Sequence, residues 1–121
     1  MRTIIIMTLI LVEVVMRRLL LVVLALLPAL AFAADPEFNL TIRDHRFEPA
    51  ELRVPAGKKI KLTIDNQDAT PEEFESHQLK REKVIPGKSK LSISLGPLKA
   101  GKYPYIGEFN KKTANGVIIA E

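Results

Sequence analysis

The sequence predicts an all-β protein, a Greek-key β-sandwich of about seven or eight short strands, and three observations predict it. Apolar and polar residues alternate in several short runs. Gly, Pro, Asn and Asp punctuate those runs. Beyond the N-terminal region no stretch sustains a helical period.

The N-terminal region obeys a different rule. Ile4 to Met16 and Leu19 to Phe32 are apolar runs, separated by Arg17-Arg18 and interrupted once by Glu13. Met16-Arg-Arg supplies a positive start, Leu19 to Leu30 an apolar centre, and Ala31-Phe-Ala33 a small-residue cleavage site. That pattern is a secretory leader. It places the working start of translation at Met16, with residues 1–15 as an upstream extension, residues 1–33 lost on export, and a periplasmic domain over residues 34–121. The apolar centre is shorter than the roughly 20 residues a spanning helix needs, so no membrane span is expected after cleavage.

In the domain, Phe38, Leu40 and Ile42 alternate with Asn39, Thr41 and Arg43 as a first strand, and Asp44-His45 marks a turn. Phe47, Leu52 and Val54 follow, with Pro55-Ala-Gly57 as the next break. Ile60, Leu62 and Ile64 alternate with Lys59, Lys61 and Thr63, so one face is core and the other is wet. After the polar connection Asn66 to Pro71, Glu72 to Leu79 reads as either strand or irregular loop. The charged stretch Lys80 to Lys83 leads to Val84-Ile85 and the turn Pro86-Gly87. Leu91, Ile93 and Leu95 form a further strand that Gly96-Pro97 breaks, and Tyr103, Tyr105 and Val117 to Ala120 complete the set.

The whole chain carries 18 basic and 14 acidic side chains. Without Arg2, Arg17, Arg18 and Glu13 the domain keeps 15 and 13, and it has no contiguous basic patch with interleaved aromatics. Nucleic acid is excluded as a partner on that ground. Cysteine is absent, and Met1, Met7 and Met16 all lie before residue 34, so the domain has no sulfur ligand. A thiolate-copper centre is chemically impossible. No Ser-His-Asp spacing, H-E-x-x-H or glycine-rich phosphate loop occurs, which argues against a conventional hydrolase.

What remains is oxygen and imidazole. On an extended strand Glu73, Glu75 and His77 share one face, with successive side chains about 6.6 to 6.8 Å apart. Neighbours can share one ion, and a bulge near Ser76 would let all three converge. Such donors suit copper(II), iron or zinc, whereas copper(I) prefers sulfur. Phe74 reads as the inward anchor that turns Glu73 and Glu75 outward. The competing reading is a solvated charged face, each surface pair worth about 0 to 1 kcal/mol. His45 is a further candidate ligand or simply a turn residue. Tyr103 and Tyr105 point the same way and are expected to pack in the core with their hydroxyls at polar edges. The G-x-Y context of Tyr103 matches a tyrosine corner.

The ending Gly101-Lys-Tyr-Pro-Tyr-Ile-Gly-Glu-Phe-Asn110, then Asn115-Gly-Val-Ile-Ile-Ala120, resembles the closing hairpin of a cupredoxin from which the copper ligands have been removed. The blue-copper run G-x-Y-x-[YF]-x-C-x-x-H has Gly107 in the cysteine place and Asn110 in the histidine place. Phe47-Glu-Pro49, Val54-Pro-Ala-Gly57, Leu62 to Asn66, Ile85-Pro-Gly87 and Gly101-Lys-Tyr103 follow in cupredoxin order and cover nearly the whole domain. Within that superfamily the acidic segment Pro71-Glu-Glu-Phe-Glu75 is similar to the cupredoxin domains of bacterial iron-uptake proteins of EfeO and FtrB type. It stands where a blue-copper protein has its first histidine. Those domains commonly carry cysteines near the positions of Phe47 and Gly107, and this chain has neither. The resemblance implies a copper(II) or iron site at Glu73 and Glu75, with Glu108 from the closing hairpin. It also implies a part in iron oxidation or delivery, and an iron permease and a periplasmic iron-binding protein as partners. No enzymatic activity is expected beyond an auxiliary role in ferrous iron oxidation. The alternative is a metal-free module that docks a membrane or periplasmic partner.

Overall fold

The computed structural model describes the backbone of residues 1–26 and 33–121, and the side chains of residues 1–23 and 33–121. It divides into two units, Met1–Ala33 and Ala34–Glu121. In the first, helix α1 (Arg2–Leu26) carries both apolar runs as far as they are described. Most of the cleavage site Ala31-Phe-Ala33 lies outside the described residues. No described helix is long and apolar enough to cross a membrane.

The second unit is a sandwich of nine strands: β1 (Glu37–Arg43), β2 (Arg46–Glu48), β3 (Glu51–Val54), β4 (Ile60–Asn66), β5 (Glu72–Ser76), β6 (Arg81–Ile85), β7 (Lys90–Leu95), β8 (Gly101–Gly107) and β9 (Asn115–Ala120). One sheet has the order β2-β1-β4-β7 and the other β3-β9-β8-β5-β6. Both are mixed, because β1 pairs with β4 and β3 with β9 in parallel. The strand count exceeds the sequence expectation for a local reason. Residues 46 to 54 read as one apolar segment, but β2 pairs with β1 in one sheet and β3 with β9 in the other. Pro49, which has no N–H to give a ladder, marks the crossing between sheets.

Period-two alternation fills the space between the sheets. Leu40, Ile42, Ile60, Leu62, Ile64 and Leu95 point in from one sheet. Leu52, Val54, Phe74, Ile85, Tyr105 and Ile118 meet them from the other. Among the described residues every buried hydrophobic belongs to residues 34–121, so the sandwich contains its own core. Its centre is aromatic. The Phe47 ring stands edge-on to Tyr105 at 4.9 Å, and Phe74 lies 4.9 Å from the same ring. Such edge-to-face and tilted arrangements are preferred by the ring quadrupoles.

Tyr103 forms the expected corner, its hydroxyl donating to the Lys99 carbonyl at 2.7 Å. Tyr105 does not reach a polar edge. Its hydroxyl is buried without a partner, and desolvation raises its pKa well above the ordinary range. That ring lies so close over Gly116 that a Cβ there would sit 2.3 Å from the hydroxyl oxygen, which is why the facing residue has no side chain.

Candidate functional site: the two faces of the β5 pole

The loop from β4 to β5 is fixed before the carboxylates begin. Asn66, fully buried, donates its side-chain amide to the carbonyls of Thr70, Ile85 and Pro86 at 2.9, 3.1 and 3.3 Å. Asp68 accepts the backbone N–H groups of Asp44 and His45 at 2.9 and 3.0 Å, and these bonds hold its pKa down. Those two residues form the β1–β2 turn, both at positive φ, as a two-residue hairpin with this twist requires. His45 is therefore held to Asp68 through its backbone N–H, with its Nδ1 3.6 Å from Oδ2. None of its polar partners belongs to the carboxylates of β5.

Segment 72–79 resolves into strand followed by turn. β5 alternates without interruption: Glu72, Phe74 and Ser76 are buried, while Glu73 and Glu75 face out. Phe74 is the inward anchor that the sequence suggested. No bulge forms at Ser76. The strand ends there, Ser76 Oγ donates to the Pro104 carbonyl at 2.8 Å, and a turn follows. His77 consequently sits in the turn with a side chain 89% exposed, touching the group only through Glu75 Oε1 at 3.7 Å.

On the outer face the register gathers carboxylates from three places. Glu75 is directly opposite Glu82 of β6, with Glu73 diagonal to it. Phe74 is opposite Gly107 at the end of β8, so Glu108 comes next to Glu73 and Glu75. They stand as two hydrogen-bonded pairs, Glu73 with Glu82 and Glu75 with Glu108. Two carboxylates in contact disfavour each other's ionisation. The bond to Glu82 comes first in raising Glu73 to about 7, with desolvation and the neighbouring charges adding to it. Glu75 is raised by its bond to Glu108. Glu108 is held low by that bond and by Lys111, whose Nζ is 3.0 Å away. Among the described residues no group of three or more histidine, aspartate or glutamate side chains is placed to hold a metal ion.

On the inner face stands Glu72, which the sequence reading had grouped with Glu73 and Glu75 as an outward carboxylate. Glu72 is 1% exposed. Its Oε1 accepts the N–H of Glu73 at 3.0 Å and of Phe109 at 2.9 Å. Its Oε2 accepts from Asn110 Nδ2 at 2.6 Å. A Cβ on Gly107 would lie 2.7 Å from the Glu72 carboxyl carbon and 2.5 Å from Ala114 Cβ. The signal for this placement was in the sequence, since Glu72 precedes Phe74 by two and so shares its face.

The profile of the cupredoxin-like domain family matches residues 17–120. The chain belongs to that family. A relative, an uncharacterised protein of Rickettsia prowazekii (strain Madrid E), is 49% identical over 83 residues, covering 69% of this chain and 66% of that protein. The chain thus spans just under two thirds of that relative's length. Among solved structures, auracyanin A, a blue copper protein of Chloroflexus aurantiacus, superposes with a TM-score of 0.62 at 13% identity. It covers 73% of this chain and all of that one. A purple cupredoxin from Nitrosopumilus maritimus gives 0.54 at 16% identity over 69% of this chain and 98% of its own. At these identities the likeness is one of fold.

Copper is what such a fold raises as a question, and the blue-copper ligand set does not fit this cupredoxin-like chain. The motif resemblance puts Gly107 and Asn110 in the cysteine and histidine places, and the Glu72 carboxylate already lies where a side chain on residue 107 would go. Thiolate chemistry at this pole is excluded by the residues themselves.

Proposed function

We propose that this cupredoxin-like protein is an exported, periplasmic metal-binding accessory of iron uptake. In this reading it presents copper(II) or iron to carboxylates on the outer face of β5, where it assists iron oxidation or delivery to a permease. The observation that carries the metal reading is the register that sets Glu73, Glu75, Glu82 and Glu108 side by side on one open face. Crowding of these carboxylates raises Glu73 and Glu75, and a hard cation bound through one or two carboxylates with water completing its shell would relieve it. His77, beside Glu75, adds an imidazole within reach of oxidised copper or iron. Iron uptake as the setting is supported by the resemblance of Pro71-Glu-Glu-Phe-Glu75 to EfeO-type and FtrB-type domains, and export by the leader pattern over residues 16–33.

Titrating residues 34–121 with copper(II), manganese(II) and ferric iron tests the metal claim. Micromolar binding that releases protons and weakens at least tenfold in Glu75→Gln/Glu108→Gln is expected. Affinity no tighter than millimolar, or unchanged in the double variant, would remove it. A second reading is a metal-free module that docks a permease or another periplasmic protein through the same acidic face, whose open row of carboxylates would complement a basic surface. It expects capture of that partner to survive a chelator and to be lost in Glu73→Lys.

A further inference from the structure

We infer that Glu72, Gly107 and Asn110 are one replacement rather than three losses: together they form a carboxylate latch that closes the pole without an ion. The inference does not rest on metal binding at the outer face. Gly107, in the cysteine place, contributes no side chain, and the room this leaves is occupied by the Glu72 carboxylate. Asn110, in the histidine place, turns its amide to Glu72 Oε2 at 2.6 Å. Phe109 N–H closes on Oε1 at 2.9 Å, and Glu73 N–H does so from the strand itself at 3.0 Å.

Each of the three is costly alone. A buried carboxylate without donors is strongly disfavoured, a half-buried amide without an acceptor loses a hydrogen bond, and glycine in a strand weakens it. In combination the carboxylate has donors on both oxygens, the amide has its acceptor, and the glycine supplies the space. The loop is also tied from its other side. The Asn110 carbonyl accepts from Thr113 and Ala114 N–H at 3.1 and 2.8 Å, and Gly107 N–H reaches the Ala114 carbonyl at 2.8 Å. The short 3₁₀ turn Glu108–Asn110 is thereby pinned to the start of β5. Glu72 is then also a positioning residue, because holding Phe109 sets its neighbour Glu108 against Glu75.

The decisive measurement is amide hydrogen exchange at Phe109, together with the Tm, in residues 34–121 and in the variants Asn110→Ala and Glu72→Ala. Each is read with chelator and with excess copper(II). The latch expects Phe109 to be protected and indifferent to chelator. Asn110→Ala should speed its exchange at least tenfold and lower Tm, and Glu72→Ala should abolish the protection or the fold. If Glu72→Ala does not fold, Asn110→Ala decides. Chelator that strips wild-type protection would overturn the inference, because an ion would then be holding the loop. So would an Asn110→Ala variant with unaltered exchange and Tm. Failure of copper(II) to bind the outer face would leave Phe109 protection unchanged, so the two ideas fail separately.

Discussion

Glu72 and Glu73 are neighbours in the chain and live under opposite rules. On the inner face of β5 one carboxylate is sealed from water and meets three N–H donors fixed by backbone and by Asn110. On the outer face four carboxylates from three segments meet mainly one another, with Lys111 against Glu108 and His77 beside Glu75. The difference teaches that burial does not by itself decide what a carboxylate does. Donors within reach decide it. The inner one is satisfied and structural, while the outer ones crowd one another, which raises Glu73 and Glu75.

The inner side should break hardest. Gly107→Ala forces a methyl into the space held by Glu72 and Ala114, and an overpacking cost of about 3 kcal/mol is expected in urea unfolding. An unchanged midpoint would put the carboxylate elsewhere. Ser76→Ala removes a buried hydroxyl that donates to Pro104 and accepts from Leu79, for an expected loss of about 1 to 2 kcal/mol by the same measurement.

The outer side should respond to pH rather than to packing. The folded pKa of Glu73 is raised from 4.5 to about 7, so the native state holds a proton that the unfolded chain releases. Its contribution is present below pH 4.5 and is lost as pH rises through 7. Tm should therefore fall across that window, and Glu73→Gln should flatten the fall. A wild-type profile as flat as that of the variant would show that the pair is not coupled. His77→Ala, at a side chain 89% exposed, should change stability by less than about 0.5 kcal/mol. A larger loss would mean that the turn depends on the imidazole.

Much of the sandwich was legible because half-buried strands write their faces in alternation. Phe38-Leu40-Ile42, Ile60-Leu62-Ile64 and Leu91-Ile93-Leu95 each became a strand with those residues inward or packed against the core. The corner at Tyr103 was legible from its glycine context. Less readable was Lys80 to Lys83, whose charges hid most of an edge strand: β6 has one neighbour only and keeps Arg81, Glu82 and Lys83 in water. Glu82 was missed as a member of the acidic face for that reason. Glu72 was grouped with Glu73 and Glu75 because a carboxylate is expected outside, and only Phe74 two residues on said otherwise. His45 and His77 were named for their chemistry, but turn geometry gives one to Asp68 and leaves the other at the margin.

By itself the sequence determined the period of the strands, the places of the turns and the absence of sulfur from residues 34–121. Each follows from the composition of a few adjacent residues, and none needs a partner strand. Which carboxylates meet, and which donors meet Glu72, was decided only when β5 took β6 and β8 as neighbours in one register. A strand's own pattern says which side chains share a face, but the groups across from that face come from residues tens of positions away. Their identity is a property of the pairing and not of the segment.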